Sequence, residues 1–187
     1  MVGYADTLRD GFRQNAIDTW LGDLARPESK SGKGRNKLRT YARFKKDIEF
    51  EPYLNCVHHD CKRMLLFKFR IGIAPLRIET GRYESVVDVL TGDAKKGIDE
   101  SSRTCLCCYS AIEDEQHMLL TCPCYTSERY RFLEVFRQYC VNLKQRYPYD
   151  LNTLFVKIMS CTDRNVIIAL ANFLWLAFQR REQIIVK

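Results

Sequence analysis

The chain has 187 residues, of which 46% are hydrophobic and 28% are charged, enough for one domain or a domain with an arm. This length excludes a large multidomain enzyme, and the composition is typical of a globular protein with a core rather than a disordered one. The net charge of +7 is concentrated in residues 28–46, where eight basic side chains stand against one acid, Glu28, while the rest of the chain is balanced. Such a segment indicates either a surface for an acidic partner or a flexible basic linker.

The first 26 residues predict an amphipathic helix or arm. Apolar residues recur there at every fourth position, and they are Leu8, Phe12, Ala16, Trp20 and Leu24. Pro27 ends the pattern, and the Ser, Gly and Lys residues of 27–36 are typical of a flexible basic linker. The remaining residues, 37–187, are predicted to form a helical domain.

The helical domain is predicted from apolar periodicity and capping residues. Helices are expected at 37–49, 60–71, 126–145, 151–160 and 163–184, with an exposed loop at 85–103. Asp150 and the pair Thr162 and Asp163 stand where N-caps are expected. The apolar run at 166–178 is shorter than the roughly 20 residues of a membrane span and predicts a buried helix. The predicted fold class is mainly α, with strand only in a small hairpin at the cysteines.

The cysteine content points to a metal site. The chain contains nine cysteines, which are Cys56, Cys61, Cys105, Cys107, Cys108, Cys122, Cys124, Cys140 and Cys161. No secretory signal is visible at the N-terminus, because Asp6 precedes any apolar stretch. We therefore predict an intracellular protein, nuclear or cytoplasmic, and an odd number of clustered thiols then favours metal binding over disulfides.

The segment 105–122 predicts a zinc knuckle. Cys105 and Cys108 form a C-x2-C pair that a tight turn can direct at one ion, and His117 and Cys122 form a second pair, H-x4-C, about one helical turn long. Three thiolates and one imidazole complete a closed tetrahedral shell around one structural Zn²⁺. A closed shell has no open position for a reactive water, so this zinc is not expected to be catalytic.

Alternatives to this ligand set remain open. Cys107 or Cys124 can replace a neighbouring ligand, and the cysteines can instead be buried free thiols. Residues 56–61 offer four further potential ligands, but these crowd a single turn, and we interpret them as a helix entrance with incidental thiols.

The sequence does not predict an enzyme. It contains no Gly-x-Ser-x-Gly, no phosphate loop and no His-Glu-x-x-His. The three consecutive acids at 113–115 are interpreted as a response to a helix dipole.

Basic residues around two predicted helices are candidates for phosphate binding, which gives affinity for nucleic acid without sequence preference. They are Lys30, Lys33, Arg35, Lys37, Arg39, Arg43, Lys45, Lys46, Lys62, Arg63, Lys68 and Arg70. The aromatic residues between them are predicted to be core. A competing interpretation places Arg70, Glu79 and Arg82 in a buried ion-pair network, because the planar guanidinium binds carboxylates bidentately.

Several segments resemble the C-terminal tail of non-LTR (LINE-type) retrotransposon reverse transcriptases. They are 38–45, 51–54, 68–72 and 78–83, together with Cys105, Cys108, the acids 113–115, His117, Cys122, Tyr125 and Arg129. The resemblance runs through residues 20–131. It implies a C-C-H-C zinc knuckle and an accessory region that engages target DNA or template RNA, without the polymerase domain. The alternative is a protein–protein interaction adaptor, a host-recruited transposon remnant with the same zinc core that docks through apolar helices.

Overall fold

The computed structural model describes residues 11–19, 22, 38–46, 48–87, 92, 94–148 and 150–186. Part of the predicted arm is helical, since residues 11–19 form helix α1, and Phe12 on this helix is 73% exposed. The predicted linker at 27–36 lies outside the described residues, as does Lys37, so the candidates Lys30, Lys33, Arg35 and Lys37 have no structural account.

The described chain is mainly helical, which confirms the predicted fold class. After α1, the helices are α2 (Tyr53–Cys56), α3 (Asp60–Ile71), α4 (Arg77–Thr80), α5 (Thr126–Asn142), α6 (Leu151–Met159) and α7 (Arg164–Ile185). Shorter turns lie at Tyr41–Arg43, Glu100–Ser102 and Pro123–Tyr125, and a π-helical turn lies at His117–Thr121. Strands β1 (Ser85–Val87) and β2 (Ala94–Lys96) form an antiparallel hairpin in which Ser85 lies opposite Lys96.

Helix α7 lies at the centre of the core and packs against α5, α3 and α2. Phe173 and Leu174 on α7 are almost fully buried, and the Phe173 ring stacks on Phe132 of α5 at a centroid distance of 5.8 Å. The apolar run predicted as a buried helix is therefore the middle of α7. None of the helices within the described residues combines the length and apolarity needed to cross a bilayer.

The helices predicted at 60–71, 126–145, 151–160 and 163–184 are confirmed as α3, α5, α6 and α7. The N-caps predicted for α6 and α7 also form, at Asp150 and Asp163. The Asp150 carboxylate accepts a hydrogen bond from the backbone N–H of Thr153 at 2.8 Å. The Asp163 carboxylate accepts from the N–H groups of Asn165 and Val166 at 2.9 and 3.0 Å. Each cap satisfies donors of the first helical turn, which have no partner within the helix.

The predicted helix at 37–49 is wrong. Among the described residues of this range only Tyr41–Arg43 forms a short 3₁₀ turn, and residues 48–50 are not helical. The side chains of Arg39 and Thr40 bind Glu115, and Arg39 also donates to the carbonyl oxygen of Gly72 at 2.8 Å. These long-range contacts hold the segment against the rest of the domain and override its local helical periodicity.

The expectations for the region before and around the cysteines also need correction. Residues predicted as a loop at 85–103 include the β1–β2 hairpin, whereas the strand expected at the cysteines is reduced to one antiparallel bridge between Thr104 and Ile112. The hairpin is held by backbone pairing, and its sequence has no apolar alternation strong enough to predict a strand.

Candidate metal centre and basic residues

A tight turn presents Cys105 and Cys108. The backbone N–H of Tyr109 donates to the carbonyl of Cys105 at 2.9 Å, and the N–H of Cys105 donates to the carbonyl of Ala111 at 2.8 Å. These two bonds close the loop between the bridged residues Thr104 and Ile112. Both thiols are thereby held on a short, well-defined segment of backbone.

The π-helical turn at His117–Thr121 presents the other pair. The N–H of Cys122 donates to the carbonyl of His117 at 2.8 Å, a five-residue closure that brings the two side chains to the same side. Asp114 caps the start of this segment, where its carboxylate accepts from the N–H of His117 at 2.7 Å. The sequence spacing H-x4-C therefore corresponds to a π turn, not to an ordinary α-helical turn.

The four predicted ligands come together. One ligand atom from each of Cys105, Cys108, His117 and Cys122 lies within 4.8 Å of all the others. The Sγ atoms of Cys105 and Cys122 are 3.9 Å apart, and Cys108 Sγ lies 3.3 Å from His117 Nε2. Ligands of a tetrahedral zinc ion are spaced about 3.5–3.8 Å from one another, as follows from its ordinary bond lengths. The group is thus close to the dimensions of such a site.

The imidazole of His117 is oriented by a second hydrogen bond. Its Nδ1 lies 2.9 Å from the hydroxyl oxygen of Thr121, which leaves Nε2 to face the thiols. Metal-binding histidines are commonly fixed through the other ring nitrogen in this way. Cys105 and Cys122 are fully buried and His117 is nearly so, whereas Cys108 is partly exposed at one side of the group.

The electrostatics of the group favour the deprotonated thiol at Cys105. A hydrogen bond from Cys122 lowers the pKa of Cys105 to about 3, against the effect of burial. The same bond raises the pKa of Cys122, and the contact with the Cys105 sulfur raises the pKa of His117. Thiolate is the form of cysteine that coordinates metal ions.

The alternative ligands Cys107 and Cys124 are engaged elsewhere. Cys107 Sγ lies 3.1 Å from the hydroxyl oxygen of Tyr125, and the Cys124 thiol donates to the carbonyl of Cys107 at 3.3 Å. Cys105, Cys107 and Glu113 do form a second close group, but both carboxylate oxygens of Glu113 accept hydrogen bonds from Arg181. Residues 56–61 belong to neither of the two ligand groups found among the described residues.

The acids at 113–115 have a different role from the predicted one. Glu113 and Glu115 are 1% and 2% exposed, so a helix dipole at the surface does not account for them. Glu113 accepts from Arg181 Nε and Nη2 at 2.7 and 2.8 Å, which ties the segment of the Cys3His group to α7. Glu115 accepts from Arg39 at 2.9 Å and from Thr40 at 3.0 Å, which ties it to the segment 38–46. Only Asp114 acts as a cap.

Arg129 is a structural residue of this site that local spacing does not reveal. Its guanidinium is buried and donates to the carbonyls of Leu119 at 2.9 Å, Met118 at 3.3 Å and Cys122. The first two carbonyls belong to the π turn, and the third belongs to the candidate metal ligand Cys122. Arg129 therefore holds the backbone that presents Cys122, and only the family resemblance drew attention to it.

Arg70, one of the candidates for phosphate binding, lies inside the domain. This side chain is 9% exposed and lies 2.8 Å from the carboxylate of Glu51, with its guanidinium 4.5 Å from the ring centroid of Phe44. The Glu51 carboxylate therefore already supplies the opposite charge that a phosphate would bring. Of the predicted network of Arg70, Glu79 and Arg82, the pair between Glu79 and Arg82 forms at 3.3 Å, whereas Arg70 pairs with Glu51.

Three further candidates are engaged in ion pairs with carboxylates. They are Arg39 with Glu115 at 2.9 Å, Lys45 with Glu51 at 3.0 Å, and Arg63 with Asp60. Arg39 and Lys45 are 25% and 12% exposed, and their charges are paired within the domain.

The other four described candidates form no ion pair with a carboxylate of the described residues. Arg43 donates to Asn152 at 2.7 Å and to Gln116, and Lys62 donates to Asn172 at 2.7 Å. Lys46 donates to the carbonyl of Ala42, four residues earlier in the chain, and Lys68 is exposed on α3. Neutral partners leave the positive charge uncompensated, so these residues keep the electrostatic property that phosphate binding requires.

The fold and the site define a mainly helical protein with a largely buried Cys3His group whose geometry is consistent with a metal site. Comparisons with protein-family models, with curated proteins and with solved structures found no match for the chain.

Proposed function

We propose that this protein is a zinc-stabilised nucleic-acid-binding module, equivalent to the C-terminal accessory region of the LINE-type reverse transcriptases that its sequence resembles. The polymerase is not part of this function, which is to engage target DNA or template RNA. The observation that carries the proposal is the Cys3His group within 4.8 Å.

Zinc is the metal that this ligand chemistry favours. Three thiolates and one imidazole suit zinc, whereas magnesium and calcium prefer oxygen ligands. Four protein ligands would close the shell, and Cys105 and Cys122 are fully buried, which favours a structural role for the metal. The binding free energy of a structural zinc is folding free energy, on the order of 10 kcal/mol in small zinc modules.

Nucleic acid is favoured as the partner by the uncompensated positive charge. Lys62 and Lys68 lie on α3, and Arg43 and Lys46 lie in the segment that follows the basic residues 28–37. Phosphates neutralised by such side chains release counterions, which gives affinity that depends strongly on salt.

A salt titration tests this partner. The zinc-loaded chain is titrated against labelled single-stranded DNA, single-stranded RNA, duplex DNA and RNA–DNA hybrid between 50 and 200 mM salt. For single strands, the slope of log K against log salt is roughly −0.7 per phosphate contact. Lys62→Ala combined with Lys68→Ala is therefore expected to reduce the magnitude of the slope by about 1.4. Lys144→Ala, at another exposed lysine, is the control. Absence of binding to all four substrates at 50 mM salt contradicts the proposal.

A protein–protein adaptor is the second candidate, and an apolar groove favours it. The groove lies between α3 and α7 and has a volume of about 560 Å³. Met64, Leu65, Pro75, Trp175 and Phe178 contribute its apolar lining. Docking in this groove buries apolar surface, so it gives a negative heat-capacity change and little dependence on salt. The slope of the salt titration therefore separates the two candidates.

A further inference from the structure

Tyr109 occupies an unusual position at the tip of the turn that presents Cys105 and Cys108. Its φ of +55° lies in the left-handed region, and the residue is 73% exposed. Its backbone N–H closes the turn by donating to the carbonyl of Cys105 at 2.9 Å. The next residue, Ser110, places its hydroxyl oxygen 3.1 Å from Cys108 Sγ, so the turn is held on both sides of Tyr109.

The conformation and the exposure do not suit a tyrosine that serves the fold alone. Glycine adopts a positive φ without steric cost, whereas a bulky residue is strained there. Burial of the ring normally offsets such a cost, but this ring is largely in solvent. A strained residue that contributes little packing points to a role outside the fold.

We propose that Tyr109 is a stacking platform for an unpaired nucleobase of single-stranded RNA or DNA. The inference rests on the proposed nucleic-acid function and specifies its substrate. Every base has a π face, so an exposed ring binds single strands with little sequence preference. Bases of a duplex are stacked on one another and do not offer that face. The hydrogen bonds of Tyr109 N–H to Cys105 and of Ser110 to Cys108 already hold the turn, so little conformational freedom of the backbone is lost on binding.

Two substitutions at Tyr109 separate stacking from folding. Tyr109→Phe keeps the ring and is expected to bind single strands about as tightly as the parent chain. Tyr109→Gly removes the ring and suits the positive φ, so its zinc content is unchanged and its Tm is equal or higher. Its affinity for labelled 12-nucleotide single-stranded RNA and DNA falls by roughly 5- to 150-fold, the contribution of one stacked base. The two nucleic acids are measured separately, to identify which of them is the substrate.

Tyr130→Ala provides the matched control. Tyr130 is 68% exposed on the regular helix α5, and its removal is expected to leave single-strand binding unchanged. Equal affinities of Tyr109→Gly and the parent chain for single strands overturn the stacking role and leave the proposed function standing. If Tyr109→Gly loses as much affinity for duplex DNA as for single strands, the stacking role is overturned as well. A parent chain that binds no nucleic acid contradicts the proposed function itself.

Discussion

At the scale of single residues, substitution of each side chain of the Cys3His group tests whether it is a metal ligand. Cys105→Ser, Cys108→Ser, His117→Ala or Cys122→Ser each removes one of four ligands, and we expect each to abolish stoichiometric zinc binding because a structural site needs the closed shell. Elemental analysis of the purified chain is the measurement. One zinc per chain is expected in the parent.

Cys107→Ser and Cys124→Ser are the controls for this prediction. Their thiols contact the Tyr125 hydroxyl and the Cys107 carbonyl rather than the group of four, so the metal is expected to remain. Zinc lost from either variant, or a parent without metal, contradicts the assigned ligand set.

Arg129 is expected to stabilise the metal site through the backbone. Arg129→Met keeps the apolar stem but leaves buried carbonyls of the π turn without donors, at a cost of about 1–3 kcal/mol for each unsatisfied group. The free energy of unfolding of the zinc-loaded chain, measured with denaturant, is expected to fall accordingly. Arg131→Met changes an exposed arginine of the same helix and should have little effect. A similar stability of the two variants would refute the role given to Arg129.

At the scale of elements, the ion pair between Glu113 and Arg181 connects the segment that carries the Cys3His group to α7. Arg181→Met leaves the Glu113 charge buried, with an exposed fraction of 1%, and breaking a buried pair in this way costs about 3–5 kcal/mol. Thermal or denaturant unfolding provides the measurement.

The neighbouring Arg180 offers a control for that prediction. It pairs with Glu128 at 3.2 Å, but its side chain is 49% exposed, so Arg180→Met should cost less than about 1 kcal/mol. Equal losses in the two variants would show that burial of the pair with Glu113 is not what stabilises the contact.

The elements differ in how far the sequence alone predicts them. α3, α5, α6 and α7 follow from apolar periodicity, and Asp150 and Asp163 mark two of their starts. The segment at 37–49 has the same periodicity, yet its side chains bind Glu115 far along the chain and only a short turn forms. Periodicity reports which residues face a core, but it does not report whether other contacts compete with the helix.

At the scale of the whole molecule, removal of the metal is expected to destabilise residues beyond the segment that carries the Cys3His group. Glu113 ties it to α7 and Glu115 ties it to residues 38–46, so a chelator should lower the Tm and loosen the distant segment as well. Hydrogen exchange measured with and without chelator should show faster exchange at 38–46 together with 103–125. Faster exchange confined to 103–125 contradicts this coupling. The C-terminal part of α5, which lies outside these contacts, serves as the internal reference.

The sequence by itself determined the features that depend on neighbours along the chain. The pairs Cys105/Cys108 and His117/Cys122 are each separated by a few residues, so spacing alone predicts that they share a site. Caps and apolar stripes are local in the same sense. The sequence could not show that the second pair lies on a π turn, because H-x4-C suits more than one helical geometry.

Only the tertiary structure decided the roles of the charged residues. Arg39 meets Glu115 across 76 positions of sequence, and Arg181 meets Glu113 across 68. In sequence, Arg70 and Lys68 are equally plausible phosphate ligands, yet Arg70 is enclosed with Glu51 while Lys68 stays exposed. The physical reason is that the energy of a charge depends on its burial and on its partner, and the fold sets both.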